Sequence, residues 1–407
     1  MNSTPSDIVI VSPLRTPVGR YGGQFSQVNV QDLAVPVVQE ILKRTGLDAK
    51  HIDDVILGQA SPNGAAPALG RIVALDAGLG TSVPGMQLDR RCGSGLQAIA
   101  TAAAHIAAGA ADLIIAGGAE SMSRTEYTVD GDVRWGTKGG SMEFKDRLAE
   151  ARVTAGGKNH PVPGGMIETA ENLQREYSIE RQAQDAMAAT SHERAVQAQE
   201  SGVFAEEIVP ISVPGRKRQD PPQQLSTDEH PRPGTTSEKL AKLGAILPDG
   251  TVTAGNASGQ NDGAAAMIVC TRDRAAELGL NPVARLAGWA VAGVPPETMG
   301  IGPVPATKKV LERLNLTLAD MDVIELNEAF AAQALAVLAE LELSPSDPRL
   351  NPHGSGISLG HPVGATGARM VVTLAHELQR RQGRYGLATM CIGGGQGLAA
   401  VFEAEYN

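Results

Sequence analysis

The chain holds only three cysteines in 407 residues, and no two of them form a CxxC pair. That spacing excludes a disulfide framework, argues against a paired-ligand zinc site, and points to a reducing compartment. No apolar run reaches the roughly 18 residues of a membrane span. The opening "MNSTPSDIVIVSP" lacks a basic stretch and a long apolar stretch, so no secretory signal is expected. It is not Arg-rich, which speaks against a transit peptide, and "FEAEYN" at the other end is no peroxisomal address. A cytoplasmic protein is expected. The formal net charge is −10, which disfavours nucleic acid as a partner, because the phosphate backbone asks for a basic surface. A small anion meeting a local basic patch stays open. There is no GxxxxGK[ST], and no GxGxxG opens a helix after the first strand, so the common nucleotide folds are not indicated.

What is present is a soluble-protein composition, 42% hydrophobic and 20% charged, with 47 glycines and few aromatics. The chain is long for one core, so two domains or a duplicated fold are expected. Strand and helix signals alternate. "DIVIVSP" (Asp7–Pro13) and "DDVILGQ" (Asp53–Gln59) read as strands. Residues 31–45 read as a helix with Val37, Val38, Ile41 and Leu42 on one face and Gly46 as its stop. Residues 96–108 read as an Ala-rich helix, and "ADLIIAGG" as a strand entering a glycine turn. This alternation predicts an α/β sheet of buried, largely parallel strands.

From about Ser123 to Pro248 prolines, glycines and charges scatter, with one clear helix at about 180–201. This reads as a large loop-rich insertion of the kind that covers an active site. The alternation then returns. "MDVIELN" repeats the character of "DDVILGQ", and the same offset carries Cys92 to Gly360, beside His361. Strand, Gly-rich turn, helix, strand and Gly-Gly thus occur twice, which implies an internal duplication.

In such a pair the turn-to-helix junctions could face each other, one bearing Cys92 and the other His361. A thiol at a helix N-terminus next to Arg90 and Arg91 should have a lowered pKa, and a histidine in reach could take its proton. Neighbouring glycines would let a ligand approach backbone N–H groups. The competing reading makes Cys92 a small buried hydrophobe at a turn. Cys391, before "IGGGQG", is a second candidate, and Cys270 reads as an inert core residue.

Several blocks together resemble the thiolase family. They are "RRCGSGLQAI", "AGGAESMSR", "GTVTAGNASGQNDGAAA", "MGIGPVPA", "NEAFAAQA", "GHPVGATGAR" and "TMCIGGGQG", in order along nearly the whole chain. The resemblance implies a thiolase-like α/β fold: two duplicated βαβαβαββ halves in five αβαβα layers, with an inserted loop domain. It divides the chain into residues 1–122 plus 250–279, a loop domain 123–249, and residues 280–407. It implies an acyltransferase that joins an acyl-CoA to acetyl-CoA by reversible Claisen condensation, or splits a 3-oxoacyl-CoA with free CoA. By resemblance, Cys92 is the nucleophile, His361 activates it, and Cys391 is the base that forms the enolate. Asn327 orients a water that joins His361 in one oxyanion hole, and the N–H groups of Cys92 and Gly393 form the other. Ser258, Met166, Phe330 and Met299 would contact substrate. Arg216 and Arg218 of "GRKR", with Lys239 and Lys242, form a candidate phosphate patch or an ordinary solvated charge run. Coenzyme A thioesters are substrates, with no metal or resident cofactor. By the same resemblance the expected partners are acetyl-CoA and 3-oxoacyl-CoA, without nucleic acid or membrane, in a homo-oligomer, a dimer or a homotetramer. "DGDVRWGTKGG" (Asp130–Gly140) is a candidate tetramer contact or lid.

Three departures from the family pattern stand out. "NPHGSGISLGHP" puts His353 and Ser355 at changed positions, and a subset of β-ketothiolases sharing GSGISLGHP accepts acyl groups slightly longer than acetyl. Gly165 and Gly244 replace a common histidine and arginine. The nearest rival is a degradative thiolase for longer chains. A carrier-dependent ketoacyl synthase and a non-catalytic acyl-CoA-binding protein fit less well, because Cys92, Asn327, His361 and Cys391 are all present.

Overall fold

The computed structural model describes residues 8–136, 139–153, 156–215 and 219–406. Its first part runs β1 (Ile8–Arg15), β2 (Gly19–Arg20), α1 (Val30–Thr45), β3 (Asp54–Gly58), α2 (Leu69–Asp76), β4 (Met86–Leu88), α3 (Ser94–Ala107) and β5 (Leu113–Ser121). An intervening region holds β6 (Tyr127–Thr128), β7 (Lys145–Asp146), α4 (Arg147–Val153), α5 (Gly165–Glu176) and α6 (Arg181–Glu200). It ends with β8 (Ile211–Val213), β9 (Gln223–Leu225) and α7 (Ser237–Leu240). Then come β10 (Asn261–Thr271), α8 (Arg272–Glu277), β11 (Pro282–Gly293), α9 (Pro303–Leu314), β12 (Val323–Leu326) and α10 (Ala331–Glu340). The chain closes with α11 (Gly356–Leu359), α12 (Val363–Arg381), β13 (Tyr385–Ile392) and β14 (Gln396–Ala404).

Strand order exposes the duplication. One half reads β3-β5-β10-β1 and the other β12-β13-β14-β11, and the two join where β1 pairs antiparallel with β11. Pairing types repeat as well. β3–β5 and β12–β13 are parallel, whereas β5–β10, β13–β14, β1–β10 and β11–β14 are antiparallel. The expectation of largely parallel strands is therefore corrected. Parallel pairing is confined to the crossovers over helices. β14 returns on β13 through the Gly-rich turn at 393–395, and β10 enters from the far side of the insertion.

Layers follow from which faces are apolar. On α1, Leu33, Val37, Val38 and Ile41 are fully buried against one outer face of the sheet, each worth about 1.5–3 kcal/mol of transfer free energy. The Gly46 stop has φ 65, a left-handed cap that glycine adopts without strain. Residues from both half-sheets close over α3 and α12 from opposite sides, while the other outer face packs against α9 and α10. The result is the five-layer αβαβα stack.

The two central helices touch backbone to backbone. A Cβ on Gly95 would lie 2.8 Å from the Ala368 nitrogen, and one on Gly367 would lie 2.5 Å from the Leu96 nitrogen. That contact brings the starts of α3 and α12 together, and with them Cys92 and His361. The intervening region is more helical than expected. α5 escapes a pattern search because its buried stripe mixes Thr169, Ala170 and Glu171 with a single large aliphatic, Leu173.

Candidate active site

Cys92 sits in a single tight turn, Arg91–Gly93, that runs straight into α3. Ser94 clasps this turn: its hydroxyl accepts from the Arg90 N–H at 2.9 Å and donates to the Arg91 carbonyl at 2.7 Å. Arg91 itself adopts φ 49, a left-handed conformation costly for a non-glycine residue. Burial pushes the Cys92 thiol above its ordinary pKa, although the Gly393 backbone N–H and the Arg91 charge pull it down. The expected lowering is thus corrected: desolvation of the thiolate outweighs the Gly393 and Cys92 N–H groups and the Arg91 charge. The glycines also have packing reasons: a Cβ on Gly93 would meet the Ile392 side chain at 2.5 Å, and one on Gly95 the α12 backbone.

His361 lies just ahead of α12 and is 6% exposed. Its backbone N–H donates to Asn261 Oδ1 at 2.8 Å. Its ring Nδ1 lies 2.6 Å from Thr366 Oγ1, and that hydroxyl donates its one proton to the Pro362 carbonyl at 2.9 Å. With the hydroxyl proton on the Pro362 carbonyl, Thr366 accepts from the ring, the assignment that puts the proton on Nδ1 and leaves Nε2 its lone pair. Nε2 has no protein partner among the described residues. Burial, then the Arg369 charge, lowers the ring's pKa to about 4, so the imidazole is neutral at pH 7.

Cys92, His361 and Gly393 share the wall of one cavity of about 730 Å³. Ser258, Met166, Phe330 and Met299 line it too. Cys391, at the end of β13, is fully buried just behind that wall, packed on Met299 and Ala329. Burial and then the neighbouring Cys92 raise its thiol pKa, which puts the two sulfurs within each other's field. Asn327 is likewise fully buried, and both its amide atoms lack a protein partner among the described residues. A Cβ on Gly356 would meet its Oδ1 at 2.7 Å. Cys270 is in the sheet core, away from this cluster, with its pKa pushed up to about 12 by burial.

Arg216 and Arg218 fall outside the described residues. Lys239 is tied to the Gly234 carbonyl at 2.6 Å, and neither it nor Lys242 lines the cavity. Among the described residues the arginines that line the cavity are Arg20, Arg91, Arg152 and Arg232. His353 faces away and pairs with Glu377 at 2.7 Å. Gly165 has φ 64 beside the Arg152 backbone, so a side chain there would be strained.

Reading the sequence misses the supporting shell. Asn261 also donates to the Gly19 carbonyl at 2.9 Å, which ties His361 to the first half. Glu120 accepts from the Ala60 and Gly364 N–H groups at 2.9 Å each, and burial raises its pKa to about 7. The only local signal was Thr366, five residues after His361 within the same glycine-rich block.

Family models describing a thiolase N-terminal domain and a thiolase C-terminal domain match residues 8–273 and 280–404. The chain is 48% identical over 405 residues to the 3-oxoadipyl-CoA/3-oxo-5,6-dehydrosuberyl-CoA thiolase of Escherichia coli K12, covering 97% of this chain and 98% of that one. It is 46% identical to an acetyl-CoA acetyltransferase of Pseudomonas aeruginosa, with 98% and 100% covered. The crystal structure of the Bacillus anthracis acetyl-CoA acetyltransferase superposes with a TM-score of 0.94 at 44% identity, over 100% of both chains.

Proposed function

The chain belongs to the thiolase family and is an acyltransferase, and on that premise we propose that it joins short acyl groups to acetyl-CoA through an acyl-Cys92 intermediate, reversibly. His361 Nε2 takes the Cys92 proton as the sulfur attacks the thioester carbon. The N–H groups of Cys92 and Gly393 hold the oxyanion. The departing CoA thiolate takes its proton from Cys391, leaving that thiolate ready. The Cys391 thiolate then removes a methyl proton from acetyl-CoA. The imidazolium Nε2–H, with a water held by Asn327, stabilises the enolate oxygen. The enolate carbon attacks acyl-Cys92, and the freed Cys92 thiolate recovers the proton from His361. Both thiols and the neutral imidazole are restored.

The observation that carries this reading is the His361 ring, neutral at pH 7 and with Nε2 unpaired among the described residues, on the same cavity wall as Cys92 and Gly393. Burial supports the role of Cys391, because a thiol with a raised pKa yields a more basic thiolate for a carbon acid. The unpaired amide of Asn327 suits a bound water. No metal or resident cofactor enters any step. Ser258, Met166, Met299 and Phe330 would flank the pantetheine arm, and exposed Arg20 and Arg232 would meet the phosphates. Incubation with acetyl-CoA should leave an acetyl group on the peptide containing Cys92, and the adduct should vanish in Cys92→Ala. An intact mass without an adduct would overturn the proposal.

Assembly as a homotetramer is part of the same proposal. It is supported by the free outer edge of β4 and by the exposed Tyr127, Trp135, Met142 and Phe144 around β6 and β7. A cytoplasmic location is supported by two thiols that the reaction needs reduced. Among the described residues no helix is long and apolar enough to cross a membrane.

A further inference from the structure

His361 is held at two points. Thr366 meets its ring, and Asn261 accepts its backbone N–H at 2.8 Å. Asn261 is fully buried at the start of β10. Two backbone partners fix the orientation of its amide. The His361 N–H can only donate, so it meets Oδ1, and the Gly19 carbonyl, 2.9 Å from Nδ2, can only accept. The second hydrogen on Nδ2 is left for His230, whose Nδ1 lies 3.2 Å away. His230 comes from the inserted region, between β9 and α7, and is buried in the cavity wall. Its ring also hydrogen-bonds the Ile357 backbone on α11, the short helix that runs into Gly360 and His361. That turn lies flat against the amide: Gly360 has φ 93, and a Cβ there would meet Asn261 Nδ2 at 2.6 Å.

From this geometry we propose that His230 is a positioning residue for His361, holding the 357–361 segment through Asn261 and Ile357 so that the imidazole stands where it serves Cys92. The inference rests on the thiolase reading above. The acceptor on His230 gives the second Asn261 hydrogen a partner inside the protein. Without it that hydrogen is buried and unpaired, and the amide rotates toward another acceptor, drawing Oδ1 away from the His361 N–H. Burial, then the Arg232 and Arg20 charges, lowers the His230 pKa to about 4, so Nδ1 is an acceptor at pH 7. His192, with its ring centroid 6.4 Å away, is neutral there too, and Glu229 is engaged by Arg20 at 3.2 Å. All three parts of the chain meet at this point: Gly19 and Asn261 from the first half, Ile357 and His361 from the second, and His230 from the insertion. The insertion therefore does more than cover the cavity, since its seating sets the place of the histidine.

The test measures kcat for acetoacetyl-CoA cleavage and, separately, the rate at which iodoacetamide alkylates Cys92 at pH 7, read on the Cys92 peptide by mass. Alkylation draws on His361 but needs no CoA, so it is blind to substrate contacts at His230. In His230→Leu kcat should fall about 10- to 100-fold, and alkylation should slow about tenfold. His230→Asn should restore most of both, because its Oδ1 stands where Nδ1 stood. His230→Ala replaces the leucine if that variant does not fold, since it adds no bulk. Asn261→Ala should lose at least as much, and adding His230→Leu to it should cost little more, as expected of residues acting through one chain of contacts. Unchanged alkylation in His230→Leu with only KM altered overturns the proposal in favour of a substrate contact. Equal losses in the leucine and asparagine variants overturn it in favour of packing, and fully additive losses with Asn261→Ala overturn it as well. Each of these leaves the thiolase reading standing, whereas a wild-type protein that cleaves no acetoacetyl-CoA overturns both.

Discussion

At the scale of single residues, the site depends on one proton being in the right place. Thr366 Oγ1 lies 2.6 Å from His361 Nδ1, and with its hydroxyl proton on the Pro362 carbonyl it holds the tautomer that leaves Nε2 its lone pair. Thr366→Val keeps the shape and removes the acceptor. It should lower kcat about 10- to 100-fold with KM nearly unchanged, and Thr366→Ser should restore most of the rate. Steady-state kinetics on acetoacetyl-CoA cleavage would separate this from a packing defect, which Ser would not rescue. Cys92 and His361 were legible in the sequence because each stands in a glycine-rich turn entering a helix. Arg91 was visible as a charge, but its direction was not. A side chain's aim depends on a backbone dihedral, here φ 49, that no composition rule supplies for arginine.

At the scale of elements, the decisive feature is the crossing of α3 and α12. Gly95 and Gly367 let the helices approach until backbone meets backbone. Gly95→Ala would force a methyl group against Ala368 and the Gly364 carbonyl. A destabilisation of about 1–3 kcal/mol is expected in urea denaturation, with a loss of kcat as Cys92 and His361 are spread apart. Helix α6 supplies a pH-dependent element. Burial, then the charges of His230 and Arg232, lowers the His192 pKa from 6.5 to about 4. The folded state therefore holds a neutral ring that the unfolded chain protonates below pH 6.5. Stability from this residue is complete above that value and declines as pH falls toward 4. The gap in urea midpoint between wild type and His192→Gln should narrow between pH 7 and pH 4.5. A constant gap would show that His192 does not titrate on unfolding. The sequence foresaw α1, α3 and α6 within a turn at either end, because their apolar stripes or alanine runs are strong. It missed α4 and α5, which bury one leucine each, Leu148 and Leu173, too few to make an apolar stripe.

Across the whole molecule, buried charge ties the inserted region to the sheet. Arg15, at the end of β1, meets Glu207 at 2.6 Å and grips Asp228 through two nitrogens at 2.7 and 3.0 Å. All three are essentially inaccessible to water. Arg15→Leu would strand two carboxylates in the interior at a cost of about 3–5 kcal/mol. Differential unfolding of the insertion should follow, seen as early protease cleavage between residues 203 and 240. Replacing Asp228 with Asn in addition should recover part of the loss, because one stranded charge is then gone.

The sequence by itself determined the family, the duplication and the identities of the two cysteines, the histidine and the asparagine. Those are matters of residue type in local patterns, and local patterns survive without coordinates. Tertiary structure decided what depends on distance. It set the antiparallel closing of β13 on β14 and of β1 on β11. It left burial dominant over the Arg91 charge at Cys92, and it set Thr366 against His361 Nδ1. It also put Arg91 on the cavity wall beside Cys92. Desolvation and Coulomb interaction depend on what the fold brings within a few ångströms, and residues far apart in the chain, such as Cys92 and Gly393, become neighbours only when both halves have closed.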